Sequence, residues 1–272
     1  MIAWIRIAFV FVAIVMVTIV MLPVQLLSNR FGWKLSWYLP HFWHRIACRL
    51  LGIRIIRHGS PSKHRPLMIV ANHSTWKDIL VLSAVADVVF IAKSEVKDWP
   101  VFGWLARWQR SIFIERERKR DTGNQVSEVA RRLAAGEIVV LFAEGTTSDG
   151  NRLLPFKSSL FGAAASALEA SPTGDVAIQP VAIAYTHANG LPLGRYFRPI
   201  AAWPGDTELT PHLFGVLKEG AIDVHVGFGE ALIYNRQSNR KEISRRAEED
   251  VRRMMQEYLY GYVDEGITSA QR

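Results

Sequence analysis

The chain has 272 residues, of which 49% are apolar and 21% charged, with a formal net charge of +8. That suffices for one large domain or two small ones with a buried core, and it is too apolar for a disordered protein. A single cysteine, Cys48, excludes a disulfide scaffold and a cysteine-based zinc cluster. Charge is unevenly placed along the chain. Residues 1–77 hold ten Lys or Arg and no Asp before Asp78, nor any Glu, whereas the remainder holds 23 basic against 25 acidic residues.

Residues 7–29, from Ile7 to Asn29, carry no charge, and about 20 apolar residues suffice to cross a bilayer. Pro23 and Gln25 interrupt the last third of the run. A cleaved signal peptide has a shorter apolar core and a small-residue cleavage site. A buried core helix is the other alternative, but apolar character all round a helix at a chain end favours a membrane anchor. Arg6 precedes the run, while Arg30, Lys34, Arg45 and Arg49 follow it. Positive charge stays on the cytoplasmic side, so the rest of the chain is expected there. From Phe31 to Ile56, Trp33, Trp37, Tyr38, Phe42 and Trp43 mingle with cations, a mixture suited to the headgroup layer. Anionic lipid would add about 1 kcal/mol per basic residue at the surface. A domain helix with a solvated basic face is the plainer alternative. No helix-turn-helix, zinc-finger or RRM pattern accompanies the basic segment, and no nucleic-acid partner is expected.

Beyond this segment, short and nearly continuous apolar runs alternate with helical ones. Strands are predicted at Leu67–Ala71, Val88–Ala92, Ser111–Glu115, Ile138–Ala143, Ala177–Ala184 and Ile222–Gly227. Helices are predicted at Asp78–Ala86, Trp99–Trp108, Thr122–Ala135, Lys157–Glu169 and Arg240–Tyr260. The alternation argues for an α/β fold with a mostly parallel central sheet flanked by helices, behind the N-terminal anchoring segment. Residues 1–58 are read as anchoring and interfacial helices and 59–272 as one domain. Leu191–Thr210, with three prolines, reads as a long irregular loop.

The strongest local signal is Asn72-His73-Ser74-Thr75-Trp76-Lys77-Asp78, at the end of one strand and the start of a helix. Strand C-termini are where sites form in open α/β sheets. Histidine suits proton transfer near neutral pH, and a carboxylate on its other ring nitrogen fixes the tautomer. Asp78 is close enough in sequence to serve. The plainer alternative makes Asp78 a helix cap and His73 a loop residue. A second signal is Phe142-Ala143-Glu144-Gly145-Thr146-Thr147, where Gly145 permits a sharp turn that would aim Glu144 into the same cleft. A third, Ile112-Phe113-Ile114-Glu115-Arg116, ends in a cation that could grip phosphate or carboxylate, though Arg116 lies in a charge run. Ile178-Gln179-Pro180-Val181 reads as a structural strand. There is no G-x-S-x-G elbow, P-loop or H-E-x-x-H pattern, so a covalent acyl-enzyme and a metal site are not expected.

Taken in this order, the four segments resemble the glycerolipid acyltransferase family, especially bacterial 1-acyl-sn-glycerol-3-phosphate acyltransferases, over about residues 65–230. The family's N-H-x-x-x-x-D block is matched by Asn72, His73 and Asp78. Its F-I-[DE]-R-like strand is matched by Phe113, Ile114, Glu115 and Arg116, with Arg110 where a Gly often begins it. Its F-P-E-G-T-[RS] block is matched by Phe142, Ala143, Glu144, Gly145, Thr146 and Thr147. Its V-P-V-like strand is matched by Gln179, Pro180 and Val181. The resemblance implies a membrane-associated O-acyl transfer from acyl-CoA or acyl carrier protein to a lysolipid hydroxyl, with lysophosphatidate the first acceptor and phosphatidic acid the product. His73 would be the base, held by Asp78. Arg116, Glu144, Gly145, Thr146 and Lys157 would bind substrate, and no cofactor beyond the acyl donor is implied. Backbone amides near His73 are expected to stabilise the oxyanion. Thr147 stands where an Arg associated with acceptor phosphate is often found. The wording Glu-Gly-Thr-Thr-Ser-Asp-Gly before Pro-Phe-Lys-Ser-Ser-Leu-Phe also resembles lyso-ornithine lipid acyltransferases, whose acceptor has no phosphate. An inactive lipid-binding protein is a more distant alternative.

Overall fold

The computed structural model describes residues 2–99, 102–114, 122–171, 173–205 and 207–261. Two helices lead, α1 (Ile2–Phe31) and α2 (Leu35–Leu51), followed by strand β1 (Ile53–His58). The next stretch is β2 (Leu67–Ala71), α3 (Lys77–Val85), β3 (Val88–Lys93), α4 (Phe102–Trp108) and β4 (Ile112–Ile114). Then come α5 (Thr122–Ala134), β5 (Ile138–Phe142), α6 (Gly162–Ala170) and β6 (Asp175–Ala188). The chain closes with β7 (Leu191–Pro192), α7 (Gly194–Ala201), α8 (Leu209–Glu219), β8 (Ile222–Phe228), β9 (Leu232–Asn235) and α9 (Arg240–Tyr260).

The sheet runs β1-β8-β6-β2-β5-β3-β4, with β7 and β9 also paired to β6. The pairs β1–β8, β2–β5, β2–β6, β3–β4 and β3–β5 are parallel, and β6 meets β7, β8 and β9 antiparallel. β2 and β5 lie in the middle and are buried along their whole length. That is why their sequences are unbroken apolar runs. Alternate side chains serve two cores. Met68 and Val70 pack with α5, α6 and α9, while Leu67, Ile69 and Ala71 pack with α1, α2, α3, α7 and α8. Each such leucine, isoleucine or methionine contributes about 1.5–3 kcal/mol by leaving water.

Several expectations need correction. β1 is a sheet strand, so the sheet begins inside the segment read as anchoring and interfacial helices. Its parallel pairing with β8 needs a close approach at the end of α2: a Cβ on Gly52 (φ +75°) would stand 2.7 Å from the Ala221 nitrogen. Leu191–Thr210 is no irregular loop. It contains β7 and α7, and its prolines, read as breakers, include Pro199 within α7. Burial of Arg198 and Ala201 holds that short helix in place.

α1 is long and apolar enough to cross a membrane, yet only 11% of its apolar window is buried. It is therefore no core helix. It lies against the domain near both ends. Arg6 donates from Nε to the Leu217 carbonyl (2.9 Å) and from Nη2 to that of Leu51 (3.0 Å). Gln25 donates from Nε2 to the carbonyls of Ser36 (3.2 Å) and Trp108 (3.1 Å). Ile7 and Val10 join the core between these anchors and the sheet.

Candidate active site

β2 delivers the chain to the site and a side chain prolongs its pairing. The Asn72 amide donates to the Ile183 carbonyl (2.9 Å) and accepts from the Ile183 N–H (2.8 Å), extending the β2–β6 ladder by one imitation peptide. The next four residues turn into α3, whose first turn carries Asp78. This carboxylate has no exposed surface. Its Oδ2 accepts from His73 Nδ1 (2.9 Å), Ser74 N (2.7 Å) and Thr75 N (3.0 Å), and its Oδ1 from the Tyr185 hydroxyl (2.9 Å). Four donors and a helix N-terminus compensate for its burial.

The same contacts determine the state of His73. A carboxylate only accepts, so Nδ1 carries the proton and Nε2 is left to take one. The ring stacks on Phe142 with centroids 3.9 Å apart. The His73 N–H donates to Glu144 Oε1 (2.6 Å), and the His73 carbonyl accepts from Ser148 N (2.8 Å). Backbone, ring face and Nδ1 are thus all held, while 19% of the side chain meets solvent.

Glu144 is placed differently from expectation. It is buried, and its second oxygen accepts from Leu154 N (2.8 Å). It braces the His73 turn against the loop that follows β5, with no exposed oxygen to offer a head group. Burial pushes its carboxyl up to about 8, outweighing the two backbone donors that favour ionisation. Its ordinary value is 4.5, so the folded state holds this proton across the interval up to about 8. Its contribution to stability is present below that interval and is lost as pH rises through it. Glu144→Gln should therefore flatten the pH dependence of Tm between about 4.5 and 8, relative to the unaltered protein. Parallel slopes in thermal melts of the two would refute this.

Gly145 adopts φ +73°, and a Cβ there would stand 3.1 Å from the Lys157 ammonium nitrogen. The glycine lets exposed Lys157 lie across the turn, and Thr146 is exposed beside it. Arg116 lies outside the described residues. The amides of His73, Ser74 and Thr75, the nearest to His73, are engaged by Glu144 and Asp78.

Several residues near the site escaped the sequence reading. Tyr185 grips Asp78. Its parity with Val181 and Ile183, on the α3 side of β6, was the available signal. Lys77 is entirely buried, donates to the Ala201 carbonyl (2.7 Å) and sits 5.3 Å from the Tyr185 ring centroid. Burial pushes its ammonium down to about 7. Trp203 N donates to the Ser74 carbonyl (2.7 Å), so the chain at the end of α7 is fastened both to the His73 turn and to the first residue of α3. Buried Arg198 binds the Asn151 side-chain oxygen (2.7 Å), tying α7 to the loop after β5. Trp99 and Trp203 meet edge to face, with centroids 6.3 Å apart.

A His–Asp pair, its carboxylate buried and its imidazole partly open to solvent, therefore stands at the end of a central strand, and the Ser74 and Thr75 hydroxyls of the same turn are buried. The Acyltransferase family profile matches residues 54–184, from β1 to within β6 and through this pair. The chain is 60% identical to the lyso-ornithine lipid O-acyltransferase of Rhizobium meliloti, over 96% of this chain and 89% of that one. The chain belongs to the acyltransferase family. This acyltransferase is also 53% identical to the lyso-ornithine lipid O-acyltransferase of Brucella abortus, over 96% of this chain and 98% of that one. The 1-acyl-sn-glycerol-3-phosphate acyltransferase of Neisseria gonorrhoeae is 41% identical over 38% of this chain and 41% of its own length. In fold, the acyltransferase is similar to the crystal structure of the 1-acyl-sn-glycerophosphate acyltransferase from Thermotoga maritima. The TM-score is 0.63 at 23% identity, over 92% of this chain and 94% of that one.

Proposed function

We propose that this acyltransferase moves a fatty acyl group from acyl-CoA or acyl carrier protein to the free hydroxyl of lyso-ornithine lipid, making ornithine lipid at the cytoplasmic face of a membrane. The His73–Asp78 pair carries the chemical part of the reading. His73 Nε2 takes the hydroxyl proton as the acceptor oxygen attacks the thioester carbonyl carbon. The tetrahedral intermediate then collapses, the C–S bond breaks, and the imidazolium returns the proton to the departing thiolate. Asp78 stabilises the imidazolium between the two steps. Amides already engaged by Glu144 and Asp78 do not serve the oxyanion, and the exposed Lys157 ammonium over Gly145 is the cation assigned to substrate here.

The acceptor rests on the relatives. Likeness to the two lyso-ornithine lipid enzymes runs nearly end to end, whereas likeness to the Neisseria enzyme is confined to part of the chain. Thr147 in place of an Arg agrees with an acceptor that has no phosphate. This reverses the order of acceptors expected from the motifs. Lysophosphatidate is the second reading, favoured by Lys157 as a phosphate partner.

Membrane attachment rests on α1. Arg6 and Gln25 are 19 residues apart, about 28 Å along a helix, and both are hydrogen-bonded to the domain. A helix crossing the bilayer upright would drag the domain in with it. α1 therefore beds lengthwise into one leaflet, taken as the cytoplasmic one because its anionic lipids attract Arg30, Lys34, Arg45 and Arg49.

Lyso-ornithine lipid and lysophosphatidate offered side by side, each with both donor types, test the acceptor. Lyso-ornithine lipid should react faster by about tenfold or more, the ratio given by about 1.4 kcal/mol of differential transition-state binding. Equal rates, or faster reaction of lysophosphatidate, would overturn the assignment.

A further inference from the structure

The two helix layers present different surfaces. On the side of α5, α6 and α9, ion pairs such as Arg131–Glu128, Arg245–Glu249 and Arg253–Glu257 cover the exterior. Among the described residues, that side bears two large exposed hydrophobic side chains, Ile233 on β9 and Tyr260 at the end of α9. Every other large exposed hydrophobic of the described residues lies on α1, α2, α4, α7 or α8, or on the short segments beside them. Soluble monomers rarely expose contiguous apolar surface on this scale.

The membrane reading of α1 does not account for α7. This helix turns Arg198 and Ala201 inward and Tyr196 (85% exposed), Phe197 (54%) and Ile200 outward, flanked by Leu191 and Phe214. α8 joins this patch to α1. Arg6 is bonded to the Leu217 carbonyl of α8, and Lys218 stands 5.5 Å from the Trp4 ring centroid. The patch is thus continuous with the apolar surface of α1, and cations Arg195 and Lys218 flank it. Apolar side chains bordered by cations match the boundary between acyl chains and lipid phosphates.

We propose that α7, with the adjoining face of α8, is a second membrane-inserting element that enters the same leaflet as α1. The occupant is lipid because the patch extends a surface already assigned to lipid. Insertion has a geometric consequence. The end of α7 is tied to the catalytic turn through Lys77–Ala201 and Trp203–Ser74, so the depth of α7 sets the depth of His73. A lysolipid then presents its hydroxyl to the base from within the leaflet, without leaving it.

The proposal rests on the membrane reading above, and one experiment separates the two. Cys48 is the only cysteine and is buried, so a cysteine introduced on the surface can be labelled selectively. An environment-sensitive fluorophore is placed at F197C on α7, F11C on α1 and I233C on β9, each in the full chain. The proteins are mixed with phosphatidylcholine–phosphatidylglycerol vesicles carrying nitroxide on their acyl chains. F197C should lose as large a share of its fluorescence as F11C, with a blue-shifted emission, while I233C is unchanged. Quenching at F11C with F197C behaving like I233C overturns the α7 contact and leaves the anchor standing. Absence of quenching at both overturns the membrane reading, and the contact with it.

Discussion

His73→Ala should lower turnover by about 10²–10⁴-fold, the contribution of a positioned general base. Thiol release from acyl-CoA in the presence of lysolipid measures it. The substitution removes the acceptor nitrogen but spares the backbone, because the bonds to Glu144 and Ser148 use main-chain atoms of residue 73. Vesicle binding should be unaltered, since α1 and α7 are untouched. A purified variant retaining the original rate would end the general-base account. Thiol release that proceeds at full rate without any lysolipid would point to a hydrolase.

Asp78→Asn should cost a comparable factor by a different route. Three N–H groups converge on one carboxylate oxygen, so the asparagine must present its own oxygen there. Its NH₂ then falls against the Tyr185 hydroxyl, which can rotate its proton away and accept. The turn survives with a stability loss of about 1–2 kcal/mol. The negative charge does not, and an imidazolium forming at His73 has no counter-ion. Turnover should fall by about 10²–10⁴-fold with little change in KM for either substrate, and the His73→Ala/Asp78→Asn pair should be barely slower than His73→Ala alone. Multiplying losses would show that Asp78 acts independently of His73. Asp78→Ala is a harsher change, because it leaves all four of its donors without their acceptor.

The parts legible in the sequence were those where one residue's surroundings come from its neighbours along the chain. β2 and β5 are apolar throughout because both faces are covered, and His73 and Asp78 are a single turn apart. Glu144 shows where such reasoning stops. A strand end and a following glycine place its backbone, but its side chain is steered by amides at His73 and Leu154, and the first of these lies in the turn that follows another strand, β2. Tyr185 meets Asp78 only because β6 lies beside β2, a pairing that no local pattern announces. α7 was hidden by Pro199 within it and by Pro192 and Pro204 beside it, and the contacts that sustain it are with Tyr185, Asn151 and Lys77. Gln179, the departure in the fourth motif, has a structural explanation. Its amide donates to the carbonyls of Ser60 and Gly229 and accepts from Ser62 N, pinning the connection between β1 and β2.

The bond from Arg6 to Leu217 has a temporal side. The two residues are 211 positions apart, and among the described residues β1 likewise finds its only partner strand in β8. A ribosome therefore releases α1 long before the surface that receives it exists. Throughout that interval the helix needs an apolar phase, and on the membrane reading the bilayer supplies one. The lipid is then more than the place where the finished enzyme works: it keeps the first helix out of trouble until α8 arrives to receive its Arg6 end.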